Sequence, residues 1–290
     1  MGETYKRSPT IFGPFPGPRQ SSTGQKRMNS STTALTATIT FKALKSDLQR
    51  FLPVDNYTFQ TPSSEPHAYA SLVSKRLANL DWLAGRGYDL YMLYVHGVQY
   101  TRPEDGQTFK GSFLPVLLEN MADPIISGRE ELGWPKLFSD LQVEHDGASY
   151  TMIPSWQGSC FGSFGLGGLK EVLETSEQEL KNWSPPVLAG QNDGILLHRY
   201  VPQVGRPGIA DADYHVWVNT VEDAKEFPTT VTRKWVAEQS NFSFDGLSWQ
   251  DLPTLHHIVA RLAELRPIEI VEGVLVEERG ASDYSISRKI

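Results

Sequence analysis

Between Ala34 and Phe41 every second residue is apolar: Leu35, Ala37, Ile39 and Phe41 alternate with Thr36, Thr38 and Thr40. Successive side chains of a strand point to opposite faces, so this period of two commits the segment to a half-buried strand and starts the folded domain. Runs with the same β-branched and aromatic bias follow at 88–101, 113–118, 149–164, 195–201, 215–221 and 268–276. Turn residues at 103–106 make 88–118 a hairpin-like pair. Helical spacing is confined to short stretches: Leu44, Leu48 and Phe51 before Pro53; Leu77, Leu80 and Leu83; and Leu255, Val259 and Leu262 before Pro267, with Ser248 and Asp251 as a start signal. Strands dominate, with no βαβ alternation and no internal repeat. The expected fold class is a β-rich α+β domain on a large, curved or closed, mainly antiparallel sheet with a few short helices.

Residues 1–33 carry a Pro- and Gly-rich run at 8–19 and then a Ser/Thr/Gln/Gly run, which predicts an extended arm and a flexible segment. One domain is expected over 34–276, and 277–290 is polar and expected to be a mobile tail. A chain of 290 residues with 39% hydrophobic content can bury a sizeable core, and no stretch approaches the ~20 apolar residues of a membrane helix. The formal charge of -7 argues against nucleic acid or anionic lipid as partners. A single cysteine, Cys160, rules out an intrachain disulfide and multi-cysteine zinc sites. The seven histidines are scattered, and the adjacent His256 and His257 cannot both face one ion from a helix, so no metal is expected. The first residues lack the apolar core of a secretory signal, giving a cytoplasmic expectation.

The chemistry-bearing stretch runs Asp-Pro-Ile-Ile-Ser-Gly-Arg-Glu-Glu-Leu-Gly-Trp-Pro-Lys-Leu, from Asp123 to Leu137. Lys136 stands behind Trp134 and Pro135 and before Leu137 and Phe138, an apolar setting that disfavours an ammonium ion. A neutral amine is a nucleophile that condenses with ketones. Together with the apolar run 113–118, Glu119-Asn120 and Gly128-Arg129-Glu130, the Trp134-Pro135-Lys136 element resembles the hallmark of the acetoacetate decarboxylase superfamily. The resemblance extends more weakly over about 34–276, through 36–53 and the Leu-Leu-His-Arg-Tyr-Val-Pro run at 196–202.

By that resemblance Lys136 is the Schiff-base lysine, Arg129 and Glu104 are further catalytic candidates, and Trp134, Leu117, Leu132 and Glu119 contact substrate. It implies a keto-acid substrate, no cofactor and assembly as a homo-oligomer. Two departures modify the expectation. The family's best-known members have a second lysine after the first, whereas Leu137 stands here, so activation is expected from burial rather than from an adjacent cation. Ala34 occupies the place of the family's carboxylate-handling arginine, and the glutamate position falls on Tyr100-Thr101-Arg102-Pro103-Glu104, with Arg102 and Glu104 as alternatives. The expected activity is decarboxylation of a β-keto acid larger than acetoacetate, such as a polyketide-derived one. Aldolase, dehydratase or cyclase chemistry through the same enamine is the alternative. Two other readings compete: a cysteine hydrolase built on Gly158-Ser159-Cys160-Phe161-Gly162, with Asp211 or Asp213 and His215 or His256, and a non-catalytic binding protein.

Overall fold

The computed structural model describes residues 30–173 and 194–290, so the 8–19 run lies outside the described residues. In chain order the strands are β1 (Thr33–Leu44), β2 (Tyr57–Phe59), β3 (His67–Leu80), β4 (Arg86–Thr101), β5 (Thr108–Glu119), β6 (Lys136–Phe138), β7 (Asp140–His145), β8 (Ser149–Trp156) and β9 (Ser159–Cys160). They continue as β10 (Gly162–Gly167), β11 (Lys170–Glu171), β12 (Gly194–Pro202), β13 (Ala210–Asn219), β14 (Thr230–Val236), β15 (Gln239–Phe244), β16 (Glu269–Arg279) and β17 (Arg288–Lys289). The α-helices are α1 (Lys45–Gln49), α2 (Ala122–Ser127), α3 (Thr220–Glu226) and α4 (His256–Leu262). A large sheet runs in the order β11-β14-β16-β1-β3-β4-β5-β12-β13-β17, with β2 added on β4 and β6 on β5. A small sheet runs β15-β10-β8-β7, with β9 on β8. Pairing is antiparallel except for β5 with β12 and β5 with β6. The large sheet is open, ending at β11 and β17, rather than closed.

Alternation in β1 sorts the two faces. Ala37, Ile39, Phe41 and Ala43 are fully buried in a main core shared with Leu72, Leu93, Tyr150, Phe164 and Val259. The larger of these, such as Ile39, Phe41, Leu72 and Leu93, each contribute about 1.5–3 kcal/mol by leaving water. The opposite face carries Thr36, Thr38 and Thr40, and it too is covered, for Thr40 is buried and hydrogen-bonds Ser71. Next to this threonine row lies a second apolar cluster that includes Leu77, Leu90, Met92, Leu117, Trp134 and Leu197.

Three expectations change. Leu77 and Leu80 belong to strand β3, not a helix, because 70–77 pairs on both sides, with β1 and β4, and the local leucine spacing cannot compete with two hydrogen-bonded ladders. The leucine spacing reflects a register shift between Leu77 and Leu80, where Asn79 is left-handed, followed by a short 3-10 turn at Asp81–Leu83. α4 begins at His256, later than the Ser248 signal, since Ser248 and Asp251 bond to each other in a preceding turn. The segment after 277 is no mobile tail: β16 continues to Arg279, Asp283 is buried, and β17 pairs with β13. Its polar residues fold it locally, with Tyr284 N–H on Ser282 Oγ, Ser285 N–H on Asp283 Oδ1 and Ser287 Oγ on the Tyr284 carbonyl.

Burial and the neighbouring His198 hold His215 down to about 4; its ring lies 4.2 Å from that of Tyr100, and its Nδ1 is 2.9 Å from the Tyr57 hydroxyl. The unfolded chain therefore takes up this proton at a higher pH than the folded one, so this group's contribution to stability falls as pH drops from 6.5 towards 4. His215→Gln is expected to flatten that part of the acid branch in urea denaturation; an unchanged slope there would contradict the assignment.

Candidate active site

β5 and β6 are parallel neighbours joined by only sixteen residues, 120–135, so the connection must fold tightly over the end of the sheet. It does so through α2, a π-helical turn at Gly128–Leu132 and Gly133, whose φ of 73° ends the turn in the left-handed region that glycine tolerates. Trp134 N–H then bonds the Gly128 carbonyl, and Lys136 enters β6 opposite Leu117. The Lys136 side chain runs back across Gly128. A β-carbon there would lie 2.5 Å from Lys136 Cε and 2.9 Å from Nζ, so only glycine leaves a path for the amine.

Lys136 Nζ donates to Glu119 Oε1 at 2.8 Å and to the Pro124 carbonyl at 3.1 Å. The lysine side chain is 11% exposed and that of Glu119 is fully buried. Burial pushes the Glu119 carboxyl above the ordinary carboxylate range, with the Lys136 charge and hydrogen bond pulling it back. Glu119 Oε2 has no hydrogen-bond partner among the described residues.

Above this pair opens a cavity of about 200 Å³. Its floor is the second face of the large sheet, with Thr36, Val73, Lys75, Leu90, Met92 and Leu117. Pro124, Ser127, Gly128, Leu132 and Trp134 of the crossover form one wall. Trp82, Tyr88, Tyr94 and the segment 281–284 close the rest, with the Tyr284 ring 4.7 Å from that of Trp134. An engineered apolar cavity of about 150 Å³ admits benzene, so this one holds a ring-sized group with substituents.

The structure thus brings Lys136, Trp134, Leu117 and Leu132 together around the cavity and sets Glu119 beneath the amine. Two predicted residues fall elsewhere. Arg129 lines no part of the cavity; its guanidinium donates to the Lys136 carbonyl at 2.9 Å and so clamps the backbone that carries the amine. Glu104 is exposed in the β4–β5 turn, at the far end of a strand that spans about 35 Å. Arg102 stays in that turn as well, paired with Asp105 at 2.9 Å. Leu137 does not shield Lys136, because strand alternation turns it to the main core. Cys160 is exposed after a hairpin turn at Gln157 and Gly158, both with positive φ, and no helix follows, so the hydrolase elbow is absent. The polar cavity residues that the sequence did not single out include Lys75, Tyr88, Tyr94, Asp283 and Tyr284. The Val73-Ser-Lys75-Arg-Leu77 alternation was a usable signal for Lys75. Among the described residues, no group of three or more His, Cys, Asp or Glu could hold a metal ion, and no helix is long and apolar enough to cross a membrane.

The fold and this lysine-centred cavity define a class, and the comparisons name it. The sequence matches the family model "Acetoacetate decarboxylase (ADC)" over residues 13–237. The chain belongs to that family. Among solved structures it is similar to acetoacetate decarboxylase from Legionella pneumophila, at 13% identity and a TM-score of 0.61 over 94% of this chain and 93% of that one. It is also similar to an acetoacetate decarboxylase-like enzyme from Sphingomonas wittichii RW1, at 14% identity and 0.57 over 100% and 99%. A third is the enduracididine biosynthesis enzyme MppR, complexed with the condensation product of pyruvate and imidazole 4-carboxaldehyde, at 13% identity and 0.58 over 96% and 97%. At these identities the likeness shows a shared fold. A comparison with curated protein sequences finds no match.

Gly128→Ala is expected to displace the Lys136 side chain while leaving the sheet intact. Circular dichroism should stay native while reaction of Lys136 with carbonyl reagents drops at least tenfold, about 1.4 kcal/mol. Undiminished labelling would show that the close approach to Gly128 is not needed.

Proposed function

We propose that the protein is a Schiff-base enzyme that decarboxylates a β-keto acid larger than acetoacetate. The observation that carries this reading is the 2.8 Å contact between Lys136 Nζ and the fully buried Glu119, at the edge of an aromatic-lined cavity. An ammonium–carboxylate pair out of water is costly, and passing the proton from nitrogen to Glu119 leaves an uncharged amine and an uncharged acid. The raised carboxyl of Glu119 favours that transfer. Activation therefore needs no adjacent lysine, and Leu137 in that position is no obstacle.

The amine adds to the ketone carbon, and the carbinolamine takes up a proton from solvent and loses water to give an iminium ion. The bond to the β-carboxylate breaks, its electron pair moves into the iminium, and carbon dioxide leaves. Glu119 returns its proton to the enamine carbon, and hydrolysis frees the ketone and Lys136. An apolar wall of Leu90, Met92, Leu117, Leu132 and Trp134 disfavours the carboxylate more than the neutral carbon dioxide it becomes. Those same residues give the cavity its preference for a bulky, apolar substrate. Neither Arg102 nor Glu104 reaches this place to handle the substrate carboxylate. A second reading, enamine attack on an aldehyde, draws support from the condensation product bound by MppR.

Borohydride added with a β-keto acid should leave a mass adduct on Lys136 and none on Lys136→Ala. Glu119→Gln keeps the size but cannot take the proton, so kcat should fall by roughly 10²–10⁴ and lose its acid limb. An absence of trapped adduct with every ketone tried, or equal trapping in Lys136→Ala, would exclude the Schiff-base reading. Product analysis separates carbon dioxide release from condensation.

A further inference from the structure

The mechanism leaves two charged groups of the cavity lining unused, Lys75 and Asp283, of which Lys75 is held in an ion pair. Thr36, Lys75, Leu90 and Glu119 are cross-strand partners in one row of β1, β3, β4 and β5, and the floor of the cavity lies along that row. Lys75 and Glu119 are two strands apart, so their backbones are about 10 Å from each other, with Leu90 between them. Lys75 Nζ bonds Glu278 Oε2 at 2.9 Å, and Thr36 Oγ1 donates to the same oxygen. The Glu278 side chain is 15% exposed and that of Lys75 is 23% exposed. The Lys75 and Thr36 contacts outweigh the effect of burial and hold the Glu278 carboxyl below the ordinary carboxylate range, so the pair is ionic.

A part-buried ion pair adds little to stability compared with apolar residues of the same size, so stability alone gives no reason for one in the wall of an apolar cavity. Its chemistry does. An ammonium group has three donors, and the one hydrogen bond that Lys75 makes among the described residues leaves two for the cavity it lines. Glu278 cancels the charge, so the remaining donors favour a neutral oxygen over a second carboxylate. The position is also too remote for a β-carboxylate, which sits two bonds from the ketone carbon held at Lys136. Apolar Val73, Leu77 and Met92 flank the stretch between the two polar ends.

We propose that the Lys75–Glu278 pair is a recognition site for a neutral oxygen acceptor, a hydroxyl, carbonyl or ether, at the end of the substrate remote from its ketone. The substrate is then a keto acid with an apolar middle and an oxygen-bearing far end. The assignment rests on the Lys136 reading for the placement of the ketone, but the polar site can be tested without it.

Ketone-free ligands do so. Calorimetric titration of the wild-type protein with toluene, para-cresol and para-toluate compares no acceptor, a neutral acceptor and an anion on one ring. Para-cresol should bind at least about tenfold tighter than toluene and tighter than para-toluate, as expected for a hydrogen bond to a charged donor. In Lys75→Met/Glu278→Leu, which removes both charges and leaves neither buried alone, the para-cresol advantage over toluene should shrink towards one. Equal binding of para-cresol and toluene by the wild type would overturn the proposal, and so would preference for para-toluate or an advantage retained by the double variant. These outcomes do not depend on Lys136, so a failure here is distinct from a failure of borohydride trapping. Should the double variant not fold, the wild-type series alone still decides.

Discussion

Two opposite charges held together out of water impose demands on everything around them. The pair of Lys136 and Glu119 can exist only if the carboxylate is fixed at the end of β5, the amine is aimed back at it, and water is kept from both. Each local feature of the crossover meets one of these demands. The parallel pairing of β5 with β6 sets Lys136 beside Leu117 and two places from Glu119. Gly128 leaves room for the lysine side chain to double back, and Arg129 ties down the carbonyl of the same lysine. Asn120, next to Glu119, accepts from Asp89 N–H at 2.8 Å and donates to its Oδ2, which pins the end of β5 to β4.

The wall of the cavity is a separate matter. Aromatic side chains from distant parts of the chain, Trp82, Tyr88, Tyr94, Trp134 and Tyr284, supply most of its bulk. They make a space suited to a ring and hostile to unpaired charge, and the ion pair remote from Lys136, Lys75 with Glu278, is self-neutralised. On the proposed function and the further inference, such a wall selects by size and apolarity near the amine and by hydrogen bonding at the Lys75 end.

What could be read from the sequence divides along the same line. The alternation in β1 and the β-prone runs revealed a strand-dominated domain, because strands buried on one defined face leave a period of two. The motif around Lys136 was legible because its parts lie within eighteen residues, 119–136, and the glycine, arginine and lysine serve one local geometry. Arg129 lies beside Lys136 in the motif, but nothing in a motif says whether a guanidinium faces a cavity or a carbonyl, and here it bonds the Lys136 carbonyl. Glu104 and Leu137 were misplaced for a similar reason: strand length and strand alternation decide where they point, and both depend on register. The alternation Val73, Lys75, Leu77 puts Lys75 on one strand face, but its meeting with Tyr94 and Tyr284 is not legible in the sequence. They meet only through pairing across β16, β1, β3 and β4, between residues as far apart as Ala34 and Glu278.

This split between near and far contacts has a consequence for assembly. The Lys136–Glu119 pair joins residues seventeen apart in sequence, whereas the Thr36–Glu278 contact spans 242. Contacts of such separation form late and slowly, because a long loop must close first. During folding the amine therefore acquires its carboxylate partner before its discriminating wall exists. In the native state, fluctuations that loosen β16 or the 281–284 segment would open the cavity without dissolving the pair. Selectivity is the more fragile property of the two, and damage far from Lys136 should make the site less discriminating before it makes it inert.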